Sequence, residues 1–199
     1  MTVAISTPTP TPPVVPPSCP LDRGNRSSVE MAAERLVPLS QAETWSEAVA
    51  EWHHLGDARD YLVPVETCQL CCEQPLRYHF LITNEVNGNE LWVGSSCIHL
   101  FEIRVKDESG NVVSPKDAHK KLERDKRKMR EAARPLLDAL ARLAEADSTF
   151  DAKAWKRDIG RRRGLTASRR HELLARFEAH GVEVAPSLFK LARTRDRVH

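Results

Sequence analysis

No apolar run in this 199-residue chain approaches the roughly 18–20 residues that a membrane-spanning helix requires. The opening stretch, MTVAISTPTPTPPVVPPSCP, has neither a basic start nor an uninterrupted apolar segment, so no secretory signal is read in it. The sequence also has no G-x-x-x-x-G-K-[ST], no G-x-S-x-G and no G-x-G-x-x-G, so it shows no phosphate cradle and no nucleophile elbow. Two zinc-enzyme patterns fail on residue order. His171-Glu172 is followed by Leu173, Leu174 and Ala175, where a zinc protease needs a second histidine. Cys68 is preceded by Thr67, and no H-x-E lies upstream, which removes the nucleobase-deaminase arrangement. These absences predict a cytoplasmic, non-membrane protein that is not an enzyme. In such a compartment thiols stay reduced, so the five cysteines point to metal or packing and not to a disulfide framework.

Charge is what the chain does have, and it is unevenly placed. The net formal charge is only +2. Residues 1–113 hold 7 Lys/Arg against 15 Asp/Glu, and residues 114–199 hold 23 against 13. A basic second half on an acidic first half suggests a polyanion-facing region. Composition divides the chain similarly. Residues 1–28 are rich in Pro, Thr and Ser, with seven of the 13 prolines in the first twenty positions, and read as a disordered tail in which Cys19 has no metal role. Residues 29–113 read as an α+β domain and residues 114–199 as a basic helical region.

Local signals fill in the elements. A short helix over 29–37 stops at Pro38, and Ser40 with Glu43 forms a capping-box pattern for a helix reaching Gly56. On that helix Trp45, Val49 and Trp52 would share a face. Tyr61-Leu62-Val63 is expected to be extended. LRYHFLITNEV and ELWVGS are β-rich runs joined by Asn87-Gly88-Asn89, a strong hairpin signal. A second small hairpin is expected around Ser109-Gly110-Asn111. Ser114 and Pro115 fit an N-cap and first position of a helix through residue 147, which Pro135 is expected to kink or divide. Further helices are read over 151–159 and after Thr166, ending at His180-Gly181, with Leu188, Phe189 and Leu191 docking back.

The chemistry concentrates at Cys68-Gln69-Leu70-Cys71. C-x2-C spacing lets two thiolates converge on one Zn2+ from a tight turn. Cys97 follows 26 residues after Cys71, just past the hairpin and in the first turn of a short predicted helix. That helix N-terminus favours a thiolate. Tetrahedral zinc needs a fourth ligand. His99 ranks first, His79 second, and Cys72, water or another group after them.

The stretch from Cys68 to Ile98 resembles a treble-clef-like zinc-finger module of small bacterial and phage proteins associated with DNA-handling genes. Those modules carry C-x-x-C, an Arg-aromatic strand, an Asn/Glu/Gly turn and a V-G-S-x-C-I helix start, over residues that correspond to 68–101 here. The sequence departs from that pattern in having Cys72 where Gly is common and Ser95 where some relatives have Cys. The tail from Gly160 to Lys190 is similar to short C-terminal modules that often follow the finger. The resemblance implies a zinc finger and no defined reaction.

The expected whole is therefore α+β: a small zinc-bound hairpin domain flanked by an N-terminal helix and a basic C-terminal helical region. Its expected partner is nucleic acid, DNA ahead of RNA, bound with little sequence preference. Phosphate contacts would come from Lys120, Lys121, Arg124, Lys126, Arg127, Lys128, Arg130, Arg161, Arg162, Arg163, Arg169 and Arg170. Tyr78, Trp92 or Trp155 could stack on unpaired bases. The alternative is a protein-interaction adaptor whose basic residues only solvate helix faces. The two differ in whether the basic side chains gather on one surface.

Overall fold

The computed structural model describes residues 19–20, 26–161 and 164–185. Most of the Pro/Thr-rich tail, Arg162, Arg163 and the apolar residues 188–191 lie outside these. The described chain is α+β, and no helix in it is long and apolar enough to cross a membrane.

Helix α1 (Ser28–Leu36) begins with a full capping box: the Ser27 hydroxyl accepts the Glu30 N–H, and the Glu30 carboxylate accepts the Ser27 N–H. A 3-10 turn at Val37–Leu39 takes in Pro38. The next segment differs from expectation. Helix α2 covers only Trp45–Ala50, and Trp52–His54 is strand β1. The helical period of Trp45, Val49 and Trp52 is overridden by pairing. Trp52 and His53 pair antiparallel with Asn84 and Thr83, while His53 and His54 pair in parallel with Arg104 and Val105. A backbone with ladder partners on both edges cannot also be helical. Ser40 does not cap; its hydroxyl donates to the Leu36 carbonyl and accepts the indole N–H of Trp52.

Strand β2 is Ala58–Asp60, ahead of the expected Tyr61–Val63, because Leu62 sits at φ +65° and turns the chain away. The hairpin of β3 (Tyr78–Asn84) and β4 (Glu90–Val93) forms as expected. Its turn has Gly88 at φ +75°, and the Asn84 side chain accepts the N–H groups of Val86 and Asn87. The Asn87 and Asn89 amides both donate to the Leu39 carbonyl, which fastens the turn to the 3-10 segment. One edge of β3 carries β4, and the other is shared by β2 and β1. Because the sheet is covered on both sides, His79, Phe80, Leu81 and Ile82 are all buried, and the simple in–out alternation does not hold. Helix α3 (Ser95–Leu100) follows β4 directly, and β5 (Arg104–Val105) leads into a small turn closed by a Lys106–Val112 bridge.

Helix α4 (Pro115–Ala146) starts as predicted, with the Ser114 hydroxyl accepting the Asp117 N–H. It runs unbroken through Pro135. Residue 135 is on the exposed side, where a carbonyl freed by the missing N–H can take water. Helices α5 (Ala152–Gly160) and α6 (Ala167–Ala179) are capped by Asp151 and by Thr166. Two cores result, and α4 serves both. Its Ala118 and Leu122 pack with α1, α2, α3 and the sheet. Its Leu136, Ala139, Leu140 and Leu143 pack with Phe150, Trp155, Ile159, Leu173 and Phe177, and Leu62 reaches this second core. Each fully buried Leu, Ile or Phe side chain among them contributes roughly 1.5–3 kcal/mol. Gly160 joins the two regions. Its Cα lies so close to the Tyr61 backbone that a Cβ would fall 2.0 Å from the Tyr61 carbonyl oxygen.

Candidate metal centre

Cys68 and Cys71 lie in a tight turn, and Cys97 lies in the first turn of α3. The turn is built against β4. The Gln69 N–H donates to the Trp92 carbonyl, the Gln69 side chain accepts the Trp92 N–H, and the Cys72 N–H closes back to the Cys68 carbonyl. Buried Arg35 on α1 donates through Nε to the Gln69 carbonyl at 2.5 Å, so the first helix also grips the turn. The guanidinium also interacts electrostatically with Cys68, a contact that no sequence motif announces.

The three sulfurs lie within 4.8 Å of one another. Cys97 Sγ is 3.1 Å from Cys71 Sγ and 3.6 Å from Cys68 Sγ, and the Gly94 N–H points at Cys68 Sγ from 3.5 Å. Zinc–sulfur bonds of about 2.3 Å in a tetrahedron place sulfurs about 3.8 Å apart, so this set fits such an ion with small adjustments. All three cysteines are buried, and a cavity of about 480 Å³ opens over them. Hydrogen bonds from the Cys71 and Cys97 thiols hold the Cys68 thiol far below its ordinary range. The Cys68 sulfur in turn pushes Cys71 and Cys97 upward. A bound cation would favour the thiolate form of all three. The arrangement can hold a metal ion.

Neither histidine completes it. His99 lies two residues beyond Cys97 on a helix, and that offset turns it to another side. Its Nε2 is 3.1 Å from Nδ1 of His119 on α4, and it is not among the clustered groups. His79 is buried on β3 with its Nδ1 3.2 Å from the Tyr61 hydroxyl. The remaining cysteines give a second correction. The cysteines are expected to be reduced, yet Cys19 is disulfide-bonded to Cys72, with a Cα–Cα distance of 5.6 Å, and its sulfur lies 3.6 Å from the Cys68 carbonyl. Cys72 sits at φ +58°, a left-handed position that glycine fills more easily.

The predicted basic residues divide into two groups. At about 100° per residue, Lys116, Lys120, Arg124, Arg127, Lys128, Arg130 and Arg134 fall in an arc of about 160° on α4, opposite Ala118, Leu122 and Leu136. Lys120, Lys121, Lys126 and Arg127 have acidic neighbours at Asp117, Asp125, Glu123 and Glu131. Arg124, Lys128 and Arg130 are exposed and have no acidic partner among the described residues. Lys120, Lys121, Arg124, Arg127 and Arg130 line one open groove of about 1090 Å³ beside the Asp107–Ser109 turn.

In the second group, the described arginines of α6 and of the α5 C-cap differ in their partners. Arg169 is neutralised by Asp158 and Glu172, each at 2.7 Å, and its guanidinium lies 3.9 Å from the centre of the Trp155 ring. Arg161 pairs with Asp158 at 3.3 Å, while Arg170 is exposed. Trp155 is buried and stacked on Phe150, so it is no base-stacking platform. Tyr78 and Trp92 are half-buried beneath Arg77 and Arg59. The chain matches no family model, no curated protein and no solved structure.

Proposed function

We propose that this chain is a nucleic-acid-binding protein of little sequence preference whose middle unit is tied together by one zinc ion. Phosphate contacts come from the outer face of α4, and DNA stands ahead of RNA. The observation that carries the nucleic-acid reading is the exposed trio Arg124, Lys128 and Arg130, without an acidic partner among the described residues and on the same helix as Lys120 and Arg127. Cations free of internal partners are the ones able to displace counterions from a phosphate backbone. No element among the described residues presents a recognisable base-reading motif, which favours backbone contacts over sequence readout.

The zinc reading is supported by three buried thiol donors at compatible distances, a soft set that suits this ion. Turn, hairpin and helix start follow one another as in a treble-clef-like finger. Cys68, Cys71 and Cys97 would hold the ion, and the ion would supply structural cross-linking and no chemistry. The test is a titration of fluorescent single- and double-stranded oligonucleotides with the whole chain at several salt concentrations. Affinity is expected to fall linearly in log–log form as salt rises. Absence of binding, or a flat dependence on salt, would turn the reading to the protein-interaction adaptor.

A further inference from the structure

All five cysteines of the chain meet at one place, although one of them is 49 residues from the rest. Three form the metal-ready set, and the set lacks a fourth protein donor among the described residues. Two form a disulfide against it. The disulfide places the Cys19 sulfur at the turn itself, 3.6 Å from the carbonyl of Cys68, the same carbonyl that accepts the Cys72 N–H. Resting on the metal reading above, we infer that Cys19 is the fourth metal ligand in the reduced chain and that Cys72 is the sulfur that withdraws it on oxidation.

Cys72 is the poorer ligand of the two. It is the immediate neighbour of Cys71, and two adjacent cysteines reach one tetrahedral ion only with distortion of the peptide between them. Cys19 is distant in sequence from Cys71 and carries no such adjacency constraint. A fourth thiolate would complete a closed, four-sulfur site of the structural kind. A peroxide is the oxidant the switch requires. The Cys19 sulfur leaves the metal and bonds to the Cys72 sulfur, and the O–O bond of the peroxide breaks. The two electrons lost by the sulfurs reduce hydrogen peroxide to two waters, one proton coming from the Cys72 thiol and one from solvent. The metal is left on Cys68, Cys71 and Cys97, with its fourth position free. A dithiol reductant reverses the change through thiol–disulfide exchange.

The experiment uses the full chain, reduced and loaded with Co2+, whose absorption reports the number of bound sulfurs. Wild type and Cys72→Ser are expected to give the same four-sulfur spectrum, and Cys19→Ser a three-sulfur spectrum. Hydrogen peroxide should convert wild type to the three-sulfur form and create a Cys19–Cys72 linkage detectable by peptide mass mapping, reversed by dithiothreitol. Cys72→Ser should resist that conversion. An unchanged four-sulfur spectrum in Cys19→Ser overturns this inference alone, as does a His99→Gln variant that alters the spectrum of the reduced wild type. A reduced wild type that binds no Co2+ overturns the metal reading and this inference with it.

Discussion

Replacing Arg124, Lys128 and Arg130 together by glutamine isolates the electrostatic contribution of α4. The three side chains are exposed and unpaired among the described residues, and glutamine is nearly as good a helix former as the residues it replaces. Folding stability should therefore stay within about 0.5 kcal/mol of the parent. Binding should not. Each phosphate contact to duplex DNA contributes about 0.9 to the slope of log affinity against log salt, so the triple variant should lower that slope by about 2.7. Extrapolated to about 0.1 M monovalent salt, this is a loss of about 500-fold for duplex and, at about 0.7 per contact, about 130-fold for single strands. Fluorescence anisotropy at four or more salt concentrations reads both quantities. A slope that moves by less than about 1, or an affinity loss that is the same at every salt concentration, would refute the assignment of these residues to phosphate contact.

Three other expectations concern the frame that holds these surfaces. Gly160→Ala gains up to about 1 kcal/mol of helix propensity but drives a methyl into the Tyr61 backbone. Overpacking of about 1–3 kcal/mol should win, near its upper end because the obstacle is backbone, for a net loss of about 2 kcal/mol in urea unfolding; an unchanged or higher midpoint contradicts this. Arg169→Met should lower the melting temperature by removing the contacts to Asp158, Glu172 and Trp155, while the salt slope of nucleic-acid binding stays the same. A slope reduced in this variant would return Arg169 to the binding surface. His54 is buried, its Nδ1 donates to the Leu81 carbonyl, and burial lowers its pKa from 6.5. A folded-state pKa below the unfolded one means that the full stability is present above about pH 6.5 and is lost as pH falls below it toward the folded pKa. The difference in unfolding free energy between wild type and His54→Gln should shrink over that window, and a difference independent of pH refutes the burial argument.

Several features could be read directly from residue order because they depend on local chemistry. Asn87-Gly88-Asn89 makes its turn through a left-handed glycine and asparagine side chains, and Ser114-Pro115 and Thr166 start their helices through backbone and hydroxyl geometry alone. The C-x2-C turn and Cys97 converge because a hairpin returns the chain to its starting point. What escaped depends on partners distant in sequence. Trp52–His54 has a helical period, but β3 and β5 take it as a strand. Trp155 reads as an exposed aromatic until Arg169 and Phe150 close over it. Cys19 stands in a segment with no periodicity and no motif, so nothing local connects it to a turn 49 residues away. His99 has the right chemistry and is near Cys97 in sequence, but the helix turns it to His119.

On the proposed reading, Cys68, Cys71 and Cys97, whose ligand atoms lie within 4.8 Å of one another, hold one zinc ion that fastens the turn to the start of α3. Elemental analysis of the reduced full chain, refolded with stoichiometric zinc and freed of excess ion, tests it most directly. One zinc per wild-type chain is expected, and none in Cys68→Ser or Cys97→Ser. A wild type without zinc, or both variants retaining a full equivalent, would contradict it.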